Sequence, residues 1–105
     1  MRAGALRHRI TIQEMLVTQD DAGGIVKGWG DVATVWAAIE PLQGREFWEA
    51  QKANSQVQGK IIIRRRDIDP TMRVLFKGRP LQIDSVIHPH EKGEETHLLY
   101  REALS

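Results

Sequence analysis

Two neighbouring segments decide the fold of this chain: Lys60-Ile-Ile-Ile-Arg-Arg-Arg66 and Met72-Arg-Val-Leu-Phe-Lys-Gly-Arg-Pro-Leu-Gln-Ile-Asp-Ser-Val-Ile87. Both are rich in β-branched residues, and their apolar side chains recur at every second position, which is the period of a β-strand. Lys77-Gly78 separates two such runs, and glycine there permits the positive φ that a tight hairpin turn needs. Pro80 cannot donate to a ladder, so it should open its strand or lie at an edge. The expected interior of this antiparallel sheet contains Ile61, Ile63, Val74, Phe76, Ile83 and Val86.

The residues before this centre add two strands. Leu6–Val17 alternates apolar and polar side chains and predicts the first strand. Asp20–Gly24 has the composition of a turn, and we interpret Gly28–Gly30 as a continuation of that irregular region, with Trp29 folded back as a lid. Asp31–Glu40 predicts a second strand whose two faces are both apolar, as in a strand that is covered on both sides.

One short helix and a last strand complete the chain. Gly44–Ala53 switches to helical spacing, and Thr96–Ala103 again alternates, with Leu98 and Tyr100 on one face. The length of 105 residues suits a single domain over residues 1–105. We therefore predict a mainly β fold, a small antiparallel β-barrel of five or six strands with one short inserted α-helix; a sandwich is the alternative architecture.

Composition excludes several classes of protein. Fifteen basic residues against 14 acidic ones give a net charge of +1, which argues against a dedicated nucleic-acid binder that acts by counterion release. There are no cysteines, so disulfides and thiolate metal sites are excluded. No apolar run approaches the roughly 20 residues of a spanning helix, and no secretion signal opens the chain. We expect synthesis in the cytoplasm.

No residue pattern typical of catalysis or metal binding is present. His88 and His90 are too closely spaced for a recognisable zinc motif and have no supporting carboxylate pattern. Asp67 and Asp69 flank a turn before Pro70, where turn initiation explains them better than acid–base chemistry. We therefore expect no enzymatic activity, no cofactor and no bound metal.

Arg64-Arg65-Arg66 is the strongest charged feature. In a strand, Arg64 and Arg66 would share one face and Arg65 the other, so the run would not form a single row for phosphates. A solvated strand end is as good an explanation as a contact role. Two contact roles fit the run: pairing with the carboxylates of a neighbouring protein, or a ring of positive charge around a passage for nucleic acid.

Phe47-Trp48 on the predicted helix is the second feature. Adjacent residues of a helix point about 100° apart, so the two aromatic side chains cannot both face one small interior. One of them is then left for a partner surface, where tryptophan is favoured as an anchor; a covering loop is the alternative explanation.

The order of several segments resembles the phage head-tail joining family, also called head-tail adaptor or head closure proteins of tailed bacteriophages. The resemblance covers nearly the whole chain. It rests on Gly4–Gln13, Asp21–Gly24 followed by Trp29, Val35–Phe47, Met72–Val74, and Lys77–Arg79 leading to Leu81–Ile83.

This resemblance implies a structural protein and not an enzyme. It implies a small β-barrel with an inserted helix, whose copies form a ring, typically twelvefold, that joins the portal and adaptor of the DNA-filled head to the tail and helps to close the head. Partners would be other copies of the chain, the portal or adaptor, tail proteins and, through non-specific contact, DNA in the channel. The expected location is the virion, after synthesis in the bacterial host cytoplasm.

The resemblance also assigns surfaces to residues. We expect Arg45, Glu46, Phe47 and Trp48 at a subunit or partner interface, and Arg64 and Arg65 facing the channel. The loop His88–Glu95 departs from the more basic pattern of the relatives.

The competing hypothesis is a nucleic-acid-binding barrel of OB or SH3-like type. The arginine run and the strand content favour it. Such modules present aromatic side chains among basic residues for base stacking, whereas Arg64–Arg66 has none interleaved and Phe76 is expected to be buried.

Overall fold

The structure is a computed structural model that describes residues 6–42, 44–52, 56–89 and 93–102. Within this part of the chain, six antiparallel strands form a closed barrel in which the neighbours follow the order first, second, third, sixth, fifth, fourth. The elements are β1 (His8–Gln19), β2 (Ile25–Pro41), α1 (Gly44–Lys52), β3 (Gly59–Arg64), β4 (Arg73–Phe76), β5 (Arg79–Ile87) and β6 (Glu95–Glu102). The predicted mainly β barrel with one short helix is confirmed.

Alternate residues of all six strands fill the interior. Four members of the predicted core, Ile61, Ile63, Val74 and Ile83, are at most 2% exposed. Phe76 and Val86 were expected there too, but they are only partly buried and pack against the core from its margin. Phe76 ends its strand, and Val86 follows a register shift in β5. The buried cluster consists of Ile10, Ile12, Ala37, Ile61, Ile63, Val74, Leu81, Ile83, Leu98 and Tyr100.

The β4–β5 hairpin has the turn that the sequence predicts. Lys77 and Gly78 both have positive φ, at 52° and 78°, which is the conformation whose twist matches a two-residue hairpin. Phe76 pairs with Arg79 directly across this turn, and Pro80 is the second residue of β5, close to the strand opening that its missing N–H group suggested.

The prediction that Gly28–Gly30 is irregular is wrong, because these residues are part of β2. Gly28, Trp29 and Gly30 pair in register with Leu16, Met15 and Glu14 of β1. Leu16 lies directly over Gly30, where an added Cβ would be 2.5 Å from the Leu16 Cδ1 atom. Glycine at position 30 therefore makes room for a cross-strand side chain and does not end the strand.

The turn predicted at Asp20–Gly24 is present and is held by Asp20. Its carboxylate oxygen Oδ1 accepts hydrogen bonds from the backbone N–H groups of Ala22 (3.0 Å) and Gly24 (2.7 Å). This local capping of backbone donors by an aspartate is typical of turns.

The β1–β2 hairpin extends beyond the barrel. β1 pairs with β4 only through Thr11–Gln13, and β2 pairs with β3 only through Ala37–Pro41. Among the described strands, residues 14–19 and 25–30 pair only with each other. We call residues 14–30 the arm.

A polar network fixes the base of the arm. The Gln13 side chain donates to Asp31 Oδ1 (2.8 Å) and accepts from Arg73 Nε (2.8 Å). The Arg73 guanidinium lies 4.3 Å from the ring centroid of Trp29. Trp29 is thus held at the foot of the arm by a cation–π contact, and it does not form the lid that the sequence suggested.

Tyr100 lies where β6 meets β3 and gives a measurable pH dependence. A Cβ atom on Gly59 would be 2.7 Å from the Tyr100 hydroxyl oxygen, so the ring packs against bare backbone. Burial raises the pKa of Tyr100 above its usual value, and the positive charge of Arg79 offsets part of the rise.

We expect the absorbance titration of Tyr100 to have a higher midpoint in the folded protein than in urea. Tyr100 is the single tyrosine of the chain, so the signal near 295 nm reports it alone. The unfolded chain releases this proton first, so the contribution to stability is full below pH ~10 and falls as the pH rises toward the folded pKa. Tyr100→Phe should remove both the signal and this part of the alkaline loss of stability. A folded midpoint at or below the unfolded one would contradict the assignment.

Candidate interaction surfaces

The arginine run borders a groove on the barrel wall. The pairing of β3 with β2 ends at Ile63 opposite Ala37. The chain then turns toward β6, where Arg65 N–H donates to the Glu94 carbonyl (2.6 Å) and Arg66 N–H donates to Thr96 Oγ1 (3.0 Å). The space that opens beside β2 has a volume of about 290 Å³, and we call it the arginine groove; it is lined by Arg9, Thr34, Val35, Trp36, Arg64, Arg65 and Arg66.

Strand alternation does not separate the three arginines, as the sequence predicted it would. Arg64 is the last residue of β3, and Arg65 and Arg66 follow the strand, so all three are exposed and line the same groove. The opposing faces expected from Arg64–Arg66 are therefore wrong, because the run leaves the strand after its first residue.

The groove also contains an aromatic side chain that the linear sequence does not place there. Trp36 of β2 is 50% exposed, so the prediction that β2 is covered on both sides is wrong at this residue. Arg9, its partner across the β1–β2 ladder, holds its guanidinium carbon 4.7 Å from the Trp36 ring centroid. Arginine remains charged at all ordinary pH values, so the groove suits an anionic partner that also offers apolar or flat surface.

The helix α1 lies on the connection between β2 and β3. The base of this connection is closed by a hydrogen bond from Leu42 N–H to the Gln58 carbonyl (2.8 Å). The predicted helix is confirmed over Gly44–Lys52, and Ala53 lies outside the described residues. Gly44, with φ of 56°, begins it.

Among the described side chains of α1, Trp48 is the large apolar one, and it is 67% exposed. Arg45 donates to Glu49 Oε1 (3.2 Å) in an exposed pair four residues apart, which contributes only about 0.3–0.5 kcal/mol. Glu46 and Phe47 lie within α1, but their side chains are outside the described part of the structure. The predicted interface role of Arg45–Trp48 and the channel-facing role of Arg64 and Arg65 stay predictions.

The arm carries an exposed apolar surface that sequence reasoning missed. Residues directly opposite each other in a ladder share a face of the sheet. The face of β1 that carries the buried Gln13 continues beyond the barrel as one face of the arm. It presents Met15 (48% exposed), Val17 (60%) and Ile25 (69%). The signal was available in the apolar residues on both sides of the Asp20–Gly24 turn, which mark a hairpin longer than the barrel.

The described ranges hold no group of three or more metal-ligating side chains that could bind an ion. His88 Nδ1 lies 3.1 Å from Thr96 Oγ1, a contact within the fold. In the same ranges no helix has the length and apolar character that crossing a membrane requires.

Comparison with known proteins gives a consistent answer. No curated protein matches the chain significantly. Among solved structures, the solution structure of protein SF1141 from Shigella flexneri 2a is 32% identical, covers 97% of this chain and 96% of its own, and superposes with a TM-score of 0.74. A chain from the virion of a native gene transfer agent particle is 20% identical, with 92% and 94% coverage and a TM-score of 0.63, and shares the fold. The family of phage head completion proteins matches residues 1–103. This chain therefore belongs to the phage head completion protein family, the structural proteins of the phage head, and its location is the virion.

Proposed function

We propose that copies of this chain form a ring, twelvefold in the virion, that joins the portal or adaptor of the DNA-filled head to the tail and helps to close the head after packaging. Membership of the head completion family supports a place at this junction. One structural observation supports a connector in particular: the barrel encloses its own core, yet the arm and α1 extend from opposite ends of β2 with apolar side chains exposed.

The two extensions are far enough apart to contact different neighbours. β2 has 17 residues, and at a rise of about 3.3 Å per residue it is roughly 50 Å long. Large exposed apolar side chains on a small protein mark interaction sites. In this proposal Arg45–Trp48 of α1 contacts a neighbouring subunit or virion protein.

Contact with DNA is the second candidate role, for the arginine groove. Its support is the presence of four guanidinium groups beside the half-exposed Trp36, a combination that suits phosphates and stacked bases. This role requires affinity for DNA that falls steeply as the salt concentration rises. Arg64 and Arg65 would then face the channel.

The connector proposal is tested by removing the gene from a phage or prophage that carries it. We expect DNA packaging to proceed and electron microscopy to show heads and tails that are not joined. The same protein supplied from a plasmid should restore tailed particles with a symmetric ring at the neck. Normal tailed particles in the absence of the protein would refute the proposal.

A further inference from the structure

The tip of the arm and the arginine groove carry opposite charges. The turn Asp20–Gly24 contains two carboxylates and no basic residue. Asp20 is committed to its own turn through two backbone hydrogen bonds, so its charge is fixed at the tip. Asp21 is exposed beside it. The groove presents Arg9 and Arg64–Arg66, four positive charges on one surface.

The apolar parts of the two surfaces also match. The groove exposes half of Trp36, and the arm exposes the row of Met15, Val17 and Ile25 behind its acidic tip. A two-stranded ribbon alone is only marginally stable in water, so a surface that covers the exposed apolar residues of the arm would stabilise it. DNA bound in the groove would leave the apolar row of the arm in water. An arm docked in the groove would cover both the row and Trp36.

The backbone at the groove can receive a further strand. On the side of β2 that faces the groove, pairing with β3 begins only at Ala37, and in the described chain residues 25–36 have β1 as their one partner strand. Unpaired strand edges are sites where another chain adds its own strand.

The arm cannot fill the groove of its own chain. Thr34 and Trp36, which line the groove, belong to the same β1–β2 ladder that continues into the arm, and turning the arm back would break that ladder. An arm that docks in the groove must therefore come from a second copy. Because two different surfaces of each copy meet, the contact is head-to-tail, and a head-to-tail contact generates a ring when its rotation closes.

We propose that the arm of one subunit docks in the arginine groove of the next, with Asp21 beside Arg64–Arg66 and the apolar row of the arm against Trp36. This inference rests on the proposed ring function and specifies the contact between its subunits. It assigns the groove to a neighbouring protein segment in place of DNA.

A charge exchange tests the docking in the phage complementation system. Asp21→Arg and Arg64→Glu should each lower the amount of this protein in purified particles by about tenfold, because each places like charges together. The two changes together should restore at least about a third of the wild-type amount, since they re-form the pair. Lys77→Glu, a reversal at the exposed β4–β5 turn, is the matched control and should have no effect.

Each outcome separates the docking from the function on which it rests. Asp21→Arg should unfold at the wild-type temperature, because Asp20 and not Asp21 holds the turn. Arg64→Glu faces Glu95 in the β3–β6 ladder, so its unfolding temperature is measured beside its incorporation, and the rescue by Asp21→Arg separates lost docking from lost stability. Wild-type incorporation of Asp21→Arg would overturn the docking while leaving the connector role intact. Loss with Arg64→Glu that is not rescued by Asp21→Arg, together with weaker DNA binding, would identify DNA as the occupant and would also overturn it. Absence of the wild-type protein from particles would instead refute the proposed function.

Discussion

Truncation of Ile61 to alanine is expected to lower the free energy of unfolding by about 2–5 kcal/mol. Ile61 is fully buried, and β3 pairs it with Ile39 on one side and Leu98 on the other. The change removes three buried carbons, and the surrounding strands cannot close the resulting space without losing their register. A domain of this size has a total stability of about 5–15 kcal/mol, so the loss is a large part of it. Urea unfolding followed by tryptophan fluorescence measures it.

Ile25→Ala is the matched control, because the same atoms are removed from a side chain that is 69% exposed on the arm. Its effect on unfolding should stay within about 0.5 kcal/mol, with an unchanged denaturant slope. If Ile25→Ala destabilised the fold as much as Ile61→Ala, the arm would be part of the core, and its exposed row would not be available for a partner.

Truncation of Trp48 to alanine is expected to reduce the titre of infectious particles by about 30-fold or more. Loss of a tryptophan anchor at an interface costs about 2 kcal/mol or more, which corresponds to a factor of about 30 in affinity. In the proposed ring, that loss is repeated in every subunit. Plaque titre, with electron microscopy of the neck, measures the effect.

The structure offers controls within the same helix. Alanine is the best helix former, so Trp48→Ala should keep α1 helical, which circular dichroism checks. Lys52→Ala changes another exposed residue of α1 and should retain the full titre, and Trp48→Phe should recover part of it. A normal titre with Trp48→Ala would mean that the contact does not depend on this side chain.

Strand alternation predicted the barrel, because the core positions recur with period two in segments such as Ile61–Ile63 and Thr96–Tyr100. In such segments the alternation of side chains along the strand decides which residues are buried. It did not predict the continuation of β2 through Gly28–Gly30, since glycine normally indicates a break. At Gly30 the space above the backbone is occupied by the Leu16 side chain of the other strand, and a contact between distant residues leaves no local pattern.

The surfaces were predicted less completely than the fold. The arginine run was visible in the sequence, but its joint position with Arg9 and Trp36 results from the pairing of β1 with β2 and from the point where β3 turns away. The exposed row of the arm resembles a buried strand in sequence, because an interface and a core both select apolar residues. The barrel register is what distinguishes them.

The continuity of β1 and β2 from core to arm has a mechanical consequence. Both strands extend from the barrel to the tip, and they are joined by 12 residue pairs with one register shift, between Ile12 and Gln13. A pull along the arm would move β1 and β2 together, so it would load in shear the two ladders that hold them in the barrel, β1 with β4 and β2 with β3. A subunit held by its arm would therefore transmit force directly into the wall of its barrel.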